Sequence, residues 1–161
     1  MQLTVGTPEE MEALGARIAA HLGAGDLVAL DGALGAGKTT LTRGLGAALG
    51  VRGPVTSPTF VLARTHPRPD GPPLVHVDAY RLSSPAELDD LDLDLEGSIV
   101  VVEWAAGMIE GLVDSWLEVR ILRPVEAAGD GGTGGADAEE PVEPRTVTIT
   151  GHGPRFADFR L

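Results

Sequence analysis

The stretch DLVALDGALGAGKTTLTRGLGAALG, residues 26–50, decides the fold. Its apolar start predicts a short strand over residues 26–30, and a glycine-rich turn follows at once. The residues after the turn, 38–49, predict a helix. Strand, turn and helix in this order open an α/β unit. We therefore expect an α/β fold, with a mostly parallel sheet flanked by helices on both sides.

The turn itself carries a chemical pattern. Residues 32–39 read GALGAGKT and match G-x-x-x-x-G-K-[ST]. The glycines allow successive amides to turn inward around phosphate oxygens. The lysine reaches the β- and γ-phosphates, and the final hydroxyl coordinates the magnesium ion that bridges them. A shuffled chain of this composition would contain the pattern with a probability on the order of 10⁻³, so we predict nucleoside triphosphate binding.

Composition narrows the choice of nucleotide. The chain has no asparagine, and Lys38 is its single lysine. The Asn-Lys-x-Asp motif, by which GTPases usually recognise guanine, therefore cannot be present. ATP is the favoured nucleotide.

Length and charge limit the class of protein. The 161 residues suit one compact domain, residues 1–161, and the net charge of −12 disfavours a stand-alone nucleic-acid binder. Residues 124–144 are acidic and rich in Gly, Ala and Pro, which predicts a disordered loop. There is no cysteine for a disulfide or a thiolate metal site. Without a signal-like start or an apolar run of membrane-spanning length, a soluble cytoplasmic protein is expected.

Further elements follow from periodicity and from capping patterns. Two capping boxes, at residues 7–10 and 84–87, predict a helix to about His21 and a short acidic helical region to about Leu95. Alternation near residues 117–122 and 147–149 predicts two half-exposed strands that could form a hairpin near the C-terminus. The other predicted strands cover residues 2–5, 59–65, 74–78 and 98–102.

Two predicted strands end in acids, Asp78 and Glu103. Ligands gather at the carboxyl ends of strands in an open parallel sheet, so both acids should face the triphosphate. Hydrolysis needs a carboxylate near magnesium and a group that orients the attacking water. A helix cap or a solvated turn is the alternative role for such an acid. Residues 57–59, SPT, lie where many phosphate-loop proteins sense the γ-phosphate, although an ordinary turn also fits.

The remaining candidates are weaker. His21, His66 and His152 have no partner at metal-ligand spacing and are predicted to be ordinary surface histidines. Arg81 could stabilise charge on a transferring phosphoryl group, or it could contact a partner or serve the structure.

Four motifs together resemble one family. GALGAGKTTLTRGLGAALG, SPTF, HVDAYRL and VVEWA, in this order and at these separations, are similar to the TsaE family, formerly called YjeE. The resemblance covers roughly residues 7–105. It implies a small bacterial ATPase required for threonylcarbamoyladenosine modification of transfer RNA. It also implies TsaB and TsaD as partners, modification at adenosine 37, contact with transfer RNA only through those partners, and no membrane.

The resemblance further implies roles for individual residues. Thr39 and Glu103 would associate with Mg²⁺, and Asp78 would position water or the metal shell. The catalytic set would be Lys38, Asp78, Glu103 and a switch-like Thr59. The ATP-binding set would be Gly35, Ala36, Gly37, Lys38, Thr39, Thr40, Trp104 and Thr7. Trp104 could instead have a packing role.

Two other functions fit the phosphate-binding loop. A small-molecule kinase would need an arginine-bearing lid over its acceptor, and the long insertion here is acidic. A non-catalytic nucleotide-binding adaptor would keep the loop and lose turnover.

Overall fold

In a computed structural model, which describes residues 1–53, 55, 62–124 and 143–161, the chain forms a sheet of seven strands flanked by helices. In chain order the elements are β1 (Gln2–Val5), α1 (Pro8–Ala19), β2 (Leu27–Gly32), α2 (Lys38–Leu49), β3 (Ala63–His66), β4 (Leu74–Asp78), α3 (Pro85–Asp89), β5 (Ile99–Glu103), β6 (Trp116–Leu122) and β7 (Arg145–His152). A short 3₁₀ turn follows at Pro154–Phe156. None of the helices in these described ranges is long and apolar enough to cross a membrane.

The strand order is β1-β7-β6-β2-β5-β4-β3, with a parallel centre and antiparallel edges. Strands β6, β2, β5 and β4 run parallel to their neighbours in this group. Strands β6 and β7 pair antiparallel, as the alternating pattern near the C-terminus predicts. A further antiparallel pair, that of β3 with β4, lies at the opposite edge of the sheet. Residues 67–73, which join β3 to β4, are too few for a parallel crossover.

Two apolar clusters cover the two faces of the sheet. Helices α1 and α2 cover one face, where Ile18, Leu41 and Leu45 pack with Leu30 and Val101. The opposite face is covered by α3 and residues 105–113, through side chains that include Leu88 and Ile109. Every residue of β5 is buried, as expected of a central strand covered on both sides.

Two glycines bring the backbones of α1 and α2 into close contact. A Cβ atom at Gly15 would overlap the backbone of Leu41, and one at Gly44 would overlap the backbone of Glu12. Only glycine allows two helices to approach so closely. This packing fixes α2, and therefore its N-terminus, relative to the sheet.

The capping boxes form as predicted, but the second helix they begin is short. Thr7 Oγ1 accepts a hydrogen bond from the Glu10 amide at 3.1 Å, and the Glu10 carboxylate accepts one from the Gly6 amide at 2.6 Å. Helix α3 ends at Asp89 and not near Leu95, because the chain turns and Asp92 has a left-handed φ of 52°. Thr59, residues 59–61 of the predicted third strand and residues 125–142 of the predicted acidic loop lie outside the described residues.

Candidate functional site

The glycine-rich turn connects β2 to α2 at the carboxyl end of the central strands. Gly35 and Gly37 have φ values of 77° and 120°, which residues with a side chain rarely adopt. Gly37 is the N-cap of α2 and supplies no capping side chain. The first amides of α2 therefore lack a side-chain cap and have the arrangement that binds anions. This is the strand, glycine turn and helix that the sequence predicts.

Lys38, the first residue of α2, lies within this turn. Its Nζ donates hydrogen bonds to the carbonyls of Gly32 at 2.5 Å and Ala33 at 3.2 Å, and only 6% of the residue is exposed. The same nitrogen lies 3.9 Å from the centroid of the Trp104 ring. Burial lowers the pKa of Lys38, and the carboxylates of Glu103, Asp78 and Asp31, of which Glu103 has the largest effect, only partly offset this shift. The ammonium is thus held inside the turn, away from bulk solvent.

Strands β4 and β5 bring the two predicted acids together. Asp78 pairs in register with Glu103, and Glu103 pairs in turn with Leu30 of β2. Both acids line one cavity of about 250 Å³. Its other lining residues are Leu34, Gly35, Gly37, Lys38, Thr39, Thr40 and Trp104. Most of the residues that the sequence singles out therefore surround one space beside the start of α2.

Glu103 is buried, and its carboxylate contacts a second buried side chain. His76 Nε2 lies 3.1 Å from Glu103 Oε2, and the two side chains are 0% and 4% exposed. His76 Nδ1 has no hydrogen-bond partner among the described residues. His76 begins the motif HVDAYRL, which by itself assigns this residue no role. Its alternation with Leu74 and Asp78 in β4 was the available signal, because alternate residues of a strand share a face.

Trp104 has an unusual backbone conformation directly after β5. Its φ is 60°, a left-handed value that costs a bulky residue on the order of 1–3 kcal/mol. Its amide donates to the Leu30 carbonyl at 3.0 Å, and its ring lies 5.1 Å from the ring of Tyr80. The strained conformation is the one in which the indole covers Lys38.

A second cavity, of about 210 Å³, borders the same turn. It is lined by Thr7 and Met11 from the start of α1, by Gly35, Ala36, Gly37 and Thr40, and by Arg145 of β7. The Arg145 guanidinium donates to the carbonyls of Ala36 at 3.1 Å and Gly35 at 3.4 Å, and so joins β7 to the turn. Sequence reasoning missed Arg145, which follows the acidic stretch where the family resemblance is loose.

The three histidines predicted to be ordinary surface residues differ in their surroundings. His21 is exposed, as predicted. The prediction is wrong for His66, which is buried at the end of β3 and only 5% exposed. It is also incomplete for His152, which stacks on Trp116 at 4.5 Å and contacts Glu118 at 2.8 Å. Within the described residues, no group of three His, Asp or Glu side chains is arranged to hold a metal.

Known proteins that are similar to this chain belong to one family. The family model described as "Threonylcarbamoyl adenosine biosynthesis protein TsaE" matches residues 5–128. The chain belongs to the TsaE family. Its relatives include the tRNA threonylcarbamoyladenosine biosynthesis protein TsaE of Streptomyces coelicolor, which is 57% identical over 91% of this chain and 94% of that protein. The TsaE protein of Bacillus subtilis is 36% identical over 92% of this chain and 84% of that protein.

A solved structure agrees with this membership. The crystal structure of Bacillus subtilis YdiB superposes with a TM-score of 0.67 at 32% identity, covering 95% of this chain and 86% of that chain. Membership of the TsaE family assigns the chain to tRNA threonylcarbamoyladenosine biosynthesis. It also agrees with the nucleotide-binding phosphate loop and the α/β fold that the sequence predicts.

The oxygen groups that line the first cavity suit a small divalent cation. Thr39, Asp78 and Glu103 offer one hydroxyl and two carboxylates. Mg²⁺ is bound in proteins by one or two such oxygens together with phosphate oxygens and water. The donor set of this TsaE-family site therefore fits Mg²⁺ beside a bound nucleotide.

Proposed function

We propose that the chain binds Mg-ATP at the β2–α2 turn and hydrolyses it in support of threonylcarbamoyladenosine formation. The observation that carries the proposal is the position of Lys38. A buried ammonium, held by the turn's own carbonyls, shares a cavity with the hydroxyl of Thr39 and the carboxylates of Asp78 and Glu103. These are the groups that phosphoryl transfer from ATP requires.

Binding would use the turn and the start of α2. The backbone of Gly35, Ala36, Gly37 and Thr40 would surround the phosphates, and Lys38 would exchange its bonds to the Gly32 and Ala33 carbonyls for phosphate oxygens. Each hydrogen bond between a charged group and phosphate is worth roughly 1.5–3 kcal/mol. The turn therefore already holds the Lys38 ammonium beside the place where the phosphates would lie.

Metal binding and hydrolysis would use the strand ends. Thr39 and Glu103 would hold Mg²⁺, which offsets the charge of the β- and γ-phosphates when bound. Asp78 Oδ1 accepts a hydrogen bond from the Tyr80 amide at 2.9 Å. Its Oδ2 receives none from the described residues and would orient the attacking water. Thr59, for which the described residues give no position, is proposed as the γ-phosphate sensor.

The rest of the nucleotide would occupy the second cavity. Thr7 lines it beside Gly35, Gly37 and Thr40, on the turn that would hold the phosphates. Trp104 lines the first cavity instead, so we assign it to the phosphate end, where it covers Lys38. Thr7 would then contribute to the base or ribose end of the site.

The energy of hydrolysis would serve a partner complex. By family membership we propose the TsaB and TsaD proteins as partners in the cytoplasm, with modification at adenosine 37. The net charge of −12 disfavours direct binding to transfer RNA and favours action through protein contacts.

Reconstitution tests the proposal. The purified chain, TsaB, TsaD, ATP, the threonylcarbamoyl donor and transfer RNA are combined, and rounds of modification per complex are counted. We expect repeated rounds with the wild type and a loss of about 100-fold for Thr39→Ala and Glu103→Gln. Thr150→Ala, an exposed threonine of β7, is the matched control and should behave as the wild type. Full turnover by both site variants would mean that the chain is an adaptor without catalysis.

A further inference from the structure

We propose that His76 is a positioning residue, which holds the Glu103 carboxylate in the orientation that binds Mg²⁺. The inference rests on the proposed function, because it concerns the same nucleotide site. It adds a residue that does not line the cavity and that would not touch nucleotide or metal.

Strand register places the two side chains on one face. In the pairing of β4 with β5, Asp78 lies opposite Glu103, and His76 lies opposite Val101. His76 therefore lies two residues before Asp78 along β4, away from the carboxyl end of the strand. It is on the same face of the sheet, the one covered by α1 and α2. From there its Nε2 reaches Glu103 Oε2 at 3.1 Å.

Among the described residues, only His76 donates a hydrogen bond to the Glu103 carboxylate. An ionised carboxylate can only accept a hydrogen bond, so this contact requires the tautomer in which Nε2 carries the hydrogen and donates it. Oε1 receives no hydrogen bond from the described part of the chain, and Glu103 lines the cavity. His76 thus fixes one carboxylate oxygen and leaves the other available for a ligand.

Packing alone does not account for a histidine at this position. His76 is fully buried, with Leu74 and Val101 as apolar neighbours on its face of the sheet. With Nε2 bonded to Glu103, Nδ1 has no partner among the described residues. An apolar residue would fill the space without burying an unpaired nitrogen. The histidine is explained by the carboxylate that it holds, as in the outer shells of known metal sites.

An isosteric pair of variants separates positioning from packing. His76→Gln keeps a hydrogen-bond donor in the side chain. His76→Met introduces a side chain of nearly the same shape as glutamine but without a donor. The matched control is His66→Met, which changes another buried histidine, one whose Nε2 has no hydrogen-bond partner among the described residues. Calorimetry measures ADP affinity for each protein with and without Mg²⁺.

The wild type should bind ADP more tightly with Mg²⁺ than without it. His76→Met should weaken this Mg²⁺ effect by about 10-fold or more and leave Mg²⁺-free ADP affinity within about twofold. His76→Gln should recover most of the effect, and His66→Met should match the wild type. An unchanged Mg²⁺ effect in folded His76→Met would overturn the inference while leaving ATP binding intact. A wild type that binds no ADP, or gains nothing from Mg²⁺, would overturn the proposed function as well.

A measurement on the unmodified chain does not depend on whether a variant folds. Nitrogen NMR of the histidine rings should show His76 as the Nε2–H tautomer, with its resonance shifting when Mg²⁺ is added to the ADP-bound protein. A His76 ring protonated only at Nδ1 would contradict the proposed hydrogen bond.

Discussion

At the scale of the residue, Lys38 is held by other groups of the chain at the place where we propose that phosphate binds. The ammonium donates to the Gly32 and Ala33 carbonyls and lies against the Trp104 ring. These contacts partly replace the water that burial removes, although burial still lowers the pKa of Lys38. Phosphate oxygens are stronger acceptors than carbonyls, so the lysine gains by moving to a nucleotide.

We predict that Lys38→Met weakens ADP binding by about 10- to 150-fold, because charged hydrogen bonds to phosphate contribute roughly 1.5–3 kcal/mol. Calorimetry measures the affinity. Arg43→Met is the control, since Arg43 is on the same helix and, among the described residues, forms an exposed pair with Glu12 at 3.7 Å. Equal loss in both variants would assign the effect to general charge and not to the turn.

His66 gives a prediction for the pH dependence of stability. Burial, and then the nearness of His76 and Arg64, lowers the pKa of His66 below its ordinary value. The unfolded chain therefore binds this proton more readily than the folded chain does. The stabilising contribution is fully present above the unfolded pKa, about 6.5, and is lost as pH falls below it towards the folded value.

Urea unfolding of the wild type and His66→Met, compared between pH 7.5 and pH 5.5, tests this sign. We expect the free energy of unfolding to fall less on acidification in His66→Met than in the wild type, since the variant lacks the group. A steeper fall in the variant would contradict the direction of the shift.

At the scale of the element, the contact between α1 and α2 fixes the position of the phosphate-binding helix. Gly44→Ala places a methyl group against the Glu12 backbone, which cannot rotate away. We predict a loss of about 1–3 kcal/mol in the free energy of unfolding, from overpacking. Thermal or urea unfolding measures it. Gly23→Ala, where a Cβ meets nothing within 4 Å, should change stability little, and similar losses in both would argue against the helix contact.

The elements also show which features local sequence can predict. The capping box at Thr7 and Glu10 and the glycine turn before Lys38 act through neighbours in the chain, so their patterns predict α1 and α2 correctly. The end of α3 depends on a left-handed residue, Asp92, that no pattern indicates. The antiparallel pairing of β3 with β4 depends on the short connection between them, residues 67–73.

Contacts between distant elements were harder to predict. The meeting of Asp78 with Glu103 follows from a general rule, that ligands gather at the carboxyl ends of parallel strands. The bond between His76 and Glu103 requires the exact pairing of β4 with β5, which neither strand encodes alone. Arg145 likewise reaches the Gly35 and Ala36 carbonyls only because β7 crosses back beside β6.

At the scale of the whole molecule, the order of strands assembles the site. Placing β2 between β5 and β6, with β4 beyond β5, brings the ends of β2, β4 and β5 to one edge beside α2. The antiparallel β7 adds Arg145 from the other side of the turn. Membership of the TsaE family gives this arrangement its biological setting in tRNA threonylcarbamoyladenosine biosynthesis.

The most direct test is a crystal structure of the chain with ADP and Mg²⁺. We predict phosphates against the amides of residues 35–40, with Lys38 Nζ moved from the Gly32 and Ala33 carbonyls onto phosphate oxygens. We also predict a metal ion beside Thr39 and Glu103. Nucleotide bound elsewhere, or a Lys38 that keeps its carbonyl bonds while nucleotide fills the site, would contradict these predictions.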